Sequence, residues 1–349
     1  MWYWPVDQAT LWVRALTITQ VLRETARAVD PIMLRYLSKG AGRGFRPIVA
    51  HQVKAGGKRV RPALTLLSCQ ACGGRLADAL LPAATIELIH NYSLIMDDII
   101  DHGELRRGRP TVRAKYGDTQ ALLAGMFHRE VLGEMAQNSP RPKEMYALVV
   151  NAIKQTIEGE RMDILCEQSG RSDHYIAKHR YTRVTPELYF EVIKKKTAEL
   201  IKAACLAGAI AARARKPYLE AISTYGEKVG LAFQVIDDFL DIFGQETGKQ
   251  RGKDIIEHKL NNAVIVYALP VMGFQERNRL MRIVRAKELD QAALKQALGL
   301  LEATVARAKV LRLAERLVKD AKRSLESLPE TSAREALAEL ADFIAARLY

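Results

Sequence analysis

Apolar residues recur along almost the whole chain at the three- and four-residue spacing of helices, and alternating, strand-like stretches are scarce. Two short motifs match helix starts. Thr185-Pro186-Glu187 offers a capping hydroxyl, a proline in the first turn and an acid, and Ser332-Ala-Arg-Glu335 fits a capping box. No stretch is long enough to be a domain linker. The pattern predicts one all-α domain over residues 1–349, with a dozen or so helices.

Two acidic clusters with the same spacing stand out against this helical background. Asp97-Asp98-Ile-Ile-Asp101 and Asp237-Asp238-Phe-Leu-Asp241 each follow an apolar run. Carboxylates at positions i and i+4 share one helix face, where like charges destabilise the helix. Because both clusters are embedded in residues that would face a core, an uncompensated charge there is costly. A solvated acidic face fits poorly, whereas Mg²⁺ fits well, since it takes oxygen ligands from carboxylates and substrate phosphates.

The overall composition narrows the classes of partner. A net charge of +13 over 349 residues makes nucleic acid, an anionic membrane or a phosphorylated small molecule plausible. Cys69-Gln-Ala-Cys72 has zinc-ligand spacing but no second pair or nearby His, so we expect free thiols in a reducing compartment. No apolar run reaches the ~20 residues needed to span a bilayer, and Met1–Pro5 does not resemble a signal peptide. These features predict a cytoplasmic protein without a membrane span.

Basic residues gather beside the acidic clusters. Arginine suits bidentate phosphate contacts, and lysine acts as a point charge. We expect a solvated surface role for Lys194, Lys195 and Arg109. For the set as a whole a solvated surface fits less well, because two of the clusters abut the acidic motifs in the sequence, which favours a diphosphate that contacts both. The basic groups are Gly56-Gly57-Lys58-Arg59-Val-Arg61, Arg106-Arg107-Gly-Arg109, Lys194-Lys195-Lys196-Thr197, and Lys249 with Lys259.

Together these motifs resemble the trans-isoprenyl (polyprenyl) diphosphate synthases, and most of all geranylgeranyl diphosphate synthases of the archaeal type. The resemblance covers residues 45–270. It implies an isoprenoid-synthase-type helical bundle around a central cavity, usually a homodimer, with the acidic motifs facing each other. The motifs are Gly57-Lys58-Arg59-x-Arg61-Pro62, Glu87-Leu-Ile-His90, Asp97-Asp98-x-x-Asp101, Arg106-Arg107-Gly, Lys196-Thr197, Gln234-x-x-Asp237-Asp238-x-x-Asp241, Gly248-Lys249 and Lys259.

The resemblance also implies an activity and roles for individual residues. The family joins isopentenyl diphosphate to an allylic diphosphate and releases pyrophosphate. By position, Asp97, Asp101 and Asp237 would ligate Mg²⁺, three ions per site, and Asp98, Asp238 and Asp241 would act behind them or through water. Arg106, Lys196, Lys259 and Lys249 would hold the allylic diphosphate, and Lys58, Arg61, His90 and Arg107 the isopentenyl diphosphate. Thr197 and Gln234 would present oxygens to the carbocation.

Several positions depart from the family pattern. Met96 stands where many members have His, Gly159-Glu160 replaces Gly-Gln, and Asn261-Asn262 replaces a frequent Thr-Leu. Met126 stands where an aspartate is common, which puts one polar contact between helices in doubt. None of these changes removes an expected metal or phosphate ligand, so the resemblance still implies an active enzyme.

The residue five positions before Asp97 bears on product length. In the family a bulky aromatic there closes the cavity floor, and a second one at the fourth position shortens the product. Tyr92 with the small Ser93 resembles enzymes with a C20 product, with C15 as the runner-up. Alternatively, Tyr92 is a packed core tyrosine whose hydroxyl finds a partner.

Three other functions fit parts of the sequence. A class I terpene cyclase also uses a DDxxD motif, but usually pairs it with an Asn/Ser/Glu triad. A non-catalytic subunit of a heterodimeric synthase need not keep both acidic motifs. In a nucleic-acid-binding helical protein the basic residues should form a stripe with interleaved aromatics, whereas here they interleave with carboxylates. The sequence therefore favours a farnesyl, geranylgeranyl or longer-chain diphosphate synthase.

Overall fold

The structure is a computed structural model that describes residues 17–171, 173–244 and 251–346. Two sequence predictions lie outside these ranges: that Met1–Pro5 is not part of a signal peptide, and that Lys249 holds the allylic diphosphate. Within them helices dominate, and the only strands are two short ones that pair antiparallel in a hairpin. The prediction of an all-α fold is therefore confirmed.

Seventeen α-helices lie in the described ranges, more than the dozen predicted, because several loops contain helices of only four to six residues. They are α1 Ile18–Ser38, α2 Arg46–Lys54, α3 Val60–Ala71, α4 Leu76–Ile100, α5 Val112–Tyr116, α6 Asp118–Gln137, α7 Pro142–Ile164, α8 His174–His179, α9 Pro186–Ile193, α10 Glu199–Ala211, α11 Lys216–Phe243, α12 Lys253–Ile256, α13 Ala263–Ala268, α14 Phe274–Arg285, α15 Gln291–Glu302, α16 Ala306–Ser324 and α17 Ser332–Ala345. The strands are β1 Leu105–Arg106 and β2 Arg109–Pro110, a π-helical turn spans Lys194–Ala198, and a 3₁₀ turn spans Leu325–Ser327.

The described residues form two compact units. One comprises the described parts of Met1–Ile153, Leu200–Gly226 and Ser324–Leu340, and the other those of Lys154–Glu199, Glu227–Arg323 and Ala341–Tyr349. The first acidic cluster belongs to the first unit and the second to the other. A single domain over 1–349 stays a prediction, as does the expectation that the clusters face each other.

The core of the first unit is built around α4. This helix packs mainly on α3 and α6, and most of its middle residues are buried, among them Ile86, Leu88 and Ile89. This burial fixes α4 in the core of the unit, so the helix carries its acidic end to a defined position. None of the described helices is long and apolar enough to cross a membrane.

Both predicted helix starts are found, one of them displaced by a residue. α9 begins at Pro186, and the Thr185 side chain accepts a hydrogen bond from the Leu188 N–H, as predicted. At α17 the prediction was wrong by one position. Thr331, rather than Ser332, caps the helix by accepting from the Arg334 N–H. Both hydroxyl residues suit a cap, and spacing alone did not separate them.

Candidate active site

The first acidic cluster closes the C-terminal end of α4. Asp97 and Asp98 lie in the last turn, and Asp101 follows the helix, with its N–H donating to the Asp97 carbonyl at 2.8 Å. The three side chains differ in exposure, since Asp97 is half-buried, Asp98 is buried and Asp101 is exposed. The middle carboxylate therefore faces the protein, and the outer two are nearer to solvent.

The buried carboxylate is held by an arginine. Arg106, on β1, donates to both oxygens of Asp98 at 2.8 to 3.1 Å. A side chain at Gly103 would meet Asp98 Oδ1 at 2.7 Å, so only glycine leaves room for this arrangement. Charge-assisted, two-oxygen contacts of this kind fix geometry as well as charge. Arg106, expected to hold a diphosphate, is thus also a partner of Asp98.

Beside this cluster the first unit gathers positive charge around His90. Burial lowers the pKa of His90 well below its ordinary value, and Arg61, Arg107, Arg106 and Arg59 add to that shift. The imidazole is therefore neutral near pH 7. Burial also lowers the pKa of Arg107, with Arg59 and Arg106 adding to it and Glu87 opposing. Crowded cations around a neutral imidazole favour an anionic ligand.

One arginine of the group has a structural role. Arg59 is fully buried and starts α3 in the left-handed conformation, with φ of 54°. Its guanidinium donates to both oxygens of Asp30, to Glu87 and to two backbone carbonyls. All its donors face protein acceptors, so Arg59 fixes the loop that carries Lys58 and Arg61. Lys58 is exposed and Arg61 is half-buried.

The second acidic cluster lies in the last two turns of α11. Asp238 is buried and accepts from Tyr189 Oη at 2.7 Å, from Gln234 Nε2 at 2.8 Å and from the Ala263 N–H at 2.9 Å. Asp237 and Asp241 are half-buried. The middle aspartate is again occupied by protein groups, as in the first cluster.

The residues after α11 add a further carboxylate. Asp241 accepts from the backbone N–H groups of Lys253 and Asp254, at 2.8 and 3.2 Å. Burial and the Asp254 carboxylate raise the pKa of Asp241 to about 7 and also raise that of Asp238. Such an excess of buried negative charge fits a divalent cation. Within the described ranges, no three His, Cys, Asp or Glu side chains form a ready-made metal cluster.

The two described lysines expected to hold the allylic diphosphate share one carboxylate. Asp163 Oδ2 lies 2.6 Å from Lys196 Nζ and 3.4 Å from Lys259 Nζ. Glu160, the departure from Gly-Gln, also contacts Lys196, at 2.7 Å. Burial would raise the pKa of Asp163, but the two ammonium groups outweigh it and lower that pKa. Asp163 therefore brings Lys196 and Lys259 together.

Thr197 and Gln234 are in direct contact. Thr197 lies in the π-helical turn, and its hydroxyl donates to Gln234 Oε1 at 2.7 Å. Two glycines permit the close packing of this turn. A side chain at Gly159 would overlap the Lys196 backbone nitrogen, and one at Gly230 would meet Ala198 Cα at 2.5 Å. The sequence predicted an ordinary helix here, and a one-residue widening leaves no signal in the hydrophobic pattern.

Tyr92 lines a cavity of about 640 Å³ in the first unit. Its hydroxyl has no hydrogen-bond partner among the described residues, which disfavours the alternative of a packed core tyrosine with a bonded hydroxyl. Met126 lines the same cavity and is 58% exposed, so no polar contact between helices needs replacing at that position. The remaining lining residues are Phe45, Met96, Gln120, Leu123, Phe127, Arg129 and Glu130.

Sequence reasoning missed Tyr189 and Asp163 and left Arg59 without a role of its own. Buried polar residues inside apolar helices are a usable signal, because each needs a partner. Tyr189 carries that signal, whereas Asp163 follows the polar stretch Glu158–Arg161, and their partners are 49 and 33 positions away. The four cysteines are free thiols, as expected.

Comparisons with known proteins place this geometry in a family. Residues 43–301 match the family described as Polyprenyl synthetase. A short chain isoprenyl diphosphate synthase from Methanothermobacter thermautotrophicus is 37% identical over 337 residues, 95% of this chain and 99% of that protein.

Solved structures agree. A geranylgeranyl pyrophosphate synthetase from Pyrococcus horikoshii has a TM-score of 0.83 at 30% identity, covering 94% of this chain and 97% of that one. A decaprenyl diphosphate synthase from Rhodobacter capsulatus has a TM-score of 0.85 at 28% identity, covering 95% and 98%. The predicted isoprenoid-synthase-type fold is therefore confirmed. The chain belongs to the polyprenyl synthetase family, and it is a prenyltransferase that makes trans-prenyl diphosphates.

Proposed function

We propose that this enzyme condenses isopentenyl diphosphate with an allylic diphosphate by 1′-4 coupling, with Mg²⁺ as its cofactor. The observation that carries the proposal is shared by the two acidic clusters. In each, the middle aspartate is buried and hydrogen-bonded to protein groups, and the first aspartate is half-exposed. A purely structural acidic helix end would have no reason to repeat this division.

Asp97, Asp101 and Asp237 are the proposed ligands of Mg²⁺, three ions per active site when substrate is bound. Burial and the nearby Asp254 carboxylate raise the pKa of Asp241, and a bound cation would offset this concentration of negative charge. When bound, the metal neutralises charge on the departing pyrophosphate, which lowers the barrier to ionisation. Asp98, Asp238 and Asp241 support the ligands through protein hydrogen bonds or water.

The basic residues divide between two diphosphates in this proposal. Lys196 and Lys259, already paired through Asp163, hold the allylic diphosphate together with Arg106 and Lys249. The cation-rich surroundings of His90 suit the isopentenyl diphosphate, which Lys58, Arg61, His90 and Arg107 would hold. Burial and the neighbouring arginines lower the pKa of His90 in the protein without ligand, so its imidazole would meet the diphosphate as a hydrogen-bond donor.

The chemistry then proceeds in three bond changes. The allylic C1–O bond breaks, and pyrophosphate leaves with the electron pair. The double bond of isopentenyl diphosphate attacks C1, and the resulting cation loses a proton to the released pyrophosphate. Fixed cations act where charge develops, and this is where they lower the barrier most. The oxygens of Thr197 and Gln234 stabilise the allylic cation, and apolar walls exclude water from it.

We propose geranylgeranyl diphosphate as the product, with farnesyl or longer diphosphates as alternatives. The fold does not decide this, because geranylgeranyl and decaprenyl synthases are equally similar to the chain. The support is local. Tyr92 borders the cavity together with Met96, which is one turn further along α4 and precedes Asp97, so a tail that grows into this cavity from the metal site would meet the Tyr92 ring.

We also propose a homodimer. Three apolar residues on one exposed part of α6, Leu122, Leu123 and Met126, are 45%, 45% and 58% exposed. Exposed apolar clusters of this kind mark interfaces. Light scattering of Leu122→Glu should report a loss of dimer mass relative to the wild type. A cytoplasmic location, without nucleic acid as a partner, stays a prediction.

Pyrophosphate release tests the proposed activity. The enzyme should release pyrophosphate from an allylic diphosphate only when isopentenyl diphosphate and Mg²⁺ are both present. Release from the allylic diphosphate alone, with formation of a hydrocarbon, would instead identify a terpene cyclase. No release under any condition would indicate a non-catalytic subunit.

A further inference from the structure

A chain of four side chains connects the π-helical turn to the buried aspartate of the second acidic cluster. Tyr189 Oη donates to Asp238 Oδ2, Gln234 Nε2 donates to Asp238 Oδ1, and the Thr197 hydroxyl donates to Gln234 Oε1. The three distances are 2.7, 2.8 and 2.7 Å. All four residues belong to the second unit. The proposed reaction assigns no role to Tyr189.

The hydrogen bonds of this chain share one direction of donation. The Asp238 oxygens accept from the Tyr189 hydroxyl and from the Gln234 NH₂ group, so the NH₂ end of the Gln234 amide faces Asp238. The amide oxygen is then forced toward Thr197, whose hydroxyl proton it accepts. The lone pairs of Thr197 Oγ1 take no part in this hydrogen bond. Because the two ends of an amide are nearly the same shape, only its hydrogen-bond partners decide which way it faces.

Asp238 itself is held by further protein groups. Its Oδ2 atom accepts from Tyr189 and from the Ala263 N–H, and Asn262 Nδ2 donates to its backbone carbonyl. Tyr189 is 0% exposed and Asp238 is 3% exposed. Removing the tyrosine hydroxyl would take away a donor in a place that water does not easily fill. The carboxylate could then rotate away from Gln234.

The backbone around this chain is equally constrained. Gly230 and Gln234 are one turn apart on α11, and Gly230 touches Ala198, the neighbour of Thr197. The close packing of Gly230 on Ala198 brings Thr197 within hydrogen-bond distance of Gln234, and the orientation of the Gln234 amide is left to its side-chain partners. Tyr189 and Asp238 fix it.

We propose that Tyr189 is a positioning residue, which acts through Asp238 to hold the Gln234 amide oxygen and the Thr197 oxygen toward the allylic carbocation. The inference rests on the proposed function for its chemical meaning. If the amide were free to flip, its NH₂ group would face the cation half of the time and would repel positive charge. The loss should then fall on the chemical step, because neither diphosphate touches Tyr189 or Asp238 in this scheme.

The experiment compares two buried tyrosines. Tyr189→Phe removes the hydroxyl of the chain, and Tyr225→Phe removes an equally buried hydroxyl that donates to the Leu337 carbonyl at 2.6 Å. Both variants should lose similar thermal stability. Tyr189→Phe should lower kcat on the order of 10-fold with KM values for both substrates within about twofold, and Tyr225→Phe should leave kcat within about twofold. Equal kcat values for the two variants would overturn the proposal.

Exchanging the carboxylate and the amide between positions 238 and 234 tests the direction of hydrogen-bond donation along these four side chains. Asp238→Asn can present an NH₂ group to Gln234 and should lower kcat further. Adding Gln234→Glu to Asp238→Asn restores an acceptor for the new amide group and for the Thr197 hydroxyl, so the double variant should have a higher kcat than Asp238→Asn alone. A double variant no better than the single one would contradict the orientation argument.

A third readout does not depend on activity. Tyr189 and Gln234 are linked only through Asp238, so the unfolding free energies of Tyr189→Phe, Gln234→Leu and the pair should be non-additive without substrate. Additive values would overturn the network. The wild type could release no pyrophosphate while the unfolding free energies of this double-mutant cycle were non-additive. In that case the proposed function would be wrong, and the side-chain network would be supported.

Discussion

The guanidinium of Arg106 contacts both oxygens of the Asp98 carboxylate, at 2.8 to 3.1 Å. Asp98 is 3% exposed, so this contact neutralises a charge that would otherwise be buried alone. The next residue, Arg107, has no ion pair among the described residues. In the protein without substrate, Arg106 is therefore paired with a carboxylate, whereas the adjacent Arg107, within the part of the chain that the structure describes, is not.

This difference predicts that substitution of each arginine impairs the use of a different substrate. Arg107→Ala should chiefly raise the KM for isopentenyl diphosphate at little cost in stability. Arg106→Ala should chiefly impair use of the allylic substrate and also destabilise the fold by about 1–3 kcal/mol, because Asp98 loses its partner. Steady-state kinetics with each substrate varied, together with urea unfolding, measures both effects. Arg109→Ala, on the exposed neighbour, is the matched control and should change neither KM.

Equal effects of Arg106→Ala and Arg107→Ala on both substrates would show that the family assignment does not transfer to this chain. Equal stability of the two variants would show that the contact between Arg106 and Asp98 does not stabilise the fold.

The acidic clusters should be required for turnover but not for folding. Asp97→Ala or Asp237→Ala should lower kcat by about 10²–10³ or more, since each removes a proposed metal ligand. Either change should slightly stabilise the metal-free protein by relieving like-charge repulsion. Asp78→Ala, on the same helix as Asp97 and paired with the exposed Arg75, is the control. Near wild-type turnover in either cluster variant would mean that the clusters are structural.

Product length should follow the side chains one turn before Asp97. Tyr92→Ala should lengthen the product, because it removes the ring that borders the cavity. Ser93→Phe should shorten it by adding a second aromatic. Tyr146→Ala, at an exposed tyrosine of α7 that does not line the cavity, should change nothing. Mass analysis of dephosphorylated products gives the chain lengths, and an unchanged length in Tyr92→Ala would mean that the floor lies elsewhere.

His128 should make the fold sensitive to acid. It is fully buried on α6 with its Nε2 atom bonded to the Val49 carbonyl at 2.7 Å, and burial lowers its pKa from 6.5 to about 4. Between pH 6.5 and pH 4 this histidine is therefore protonated in the unfolded chain but neutral in the folded protein. The free energy of unfolding falls as the pH is lowered through this range, and at pH 5 it should be about 2 kcal/mol lower than above pH 6.5.

A comparison of wild type with His128→Gln measures this loss. The amide can keep the contact with Val49 but cannot titrate, so the gap in unfolding free energy between the two proteins should narrow from pH 8 to pH 5. A gap that stays constant over that range would show that His128 does not titrate as described.

The sequence allowed the helical class, the acidic clusters and most of the basic residues to be predicted, because carboxylates inside apolar helical runs are visible without a structure. The roles of particular partners were not visible. Arg59 looked like one more ligand-binding cation, but its burial against Asp30 and Glu87 makes it a support. Asp30 and Glu87 are 29 and 28 positions away, and the neighbouring Lys58 and Arg61 make Arg59 look like one more member of a basic group.

Two further features needed the three-dimensional structure. The π-helical turn at Lys194–Ala198 depends on close packing at Gly159 and Gly230, which are distant in sequence. The hydroxyl of Tyr189 finds Asp238 only because α9 and α11 are adjacent in the fold. Hydrophobic periodicity places helices, but it does not say which polar side chains will meet.

Chain elongation at a metal site can be followed through the fate of labelled isopentenyl diphosphate. The purified enzyme is incubated with the labelled compound, Mg²⁺ and dimethylallyl, geranyl or farnesyl diphosphate in turn, and the products are identified by mass. We expect the label to enter an elongated prenyl diphosphate from each accepted primer, mainly of C20 length, and chelation of Mg²⁺ to stop it. Label that remains in isopentenyl diphosphate with every primer would show that this protein does not elongate prenyl chains.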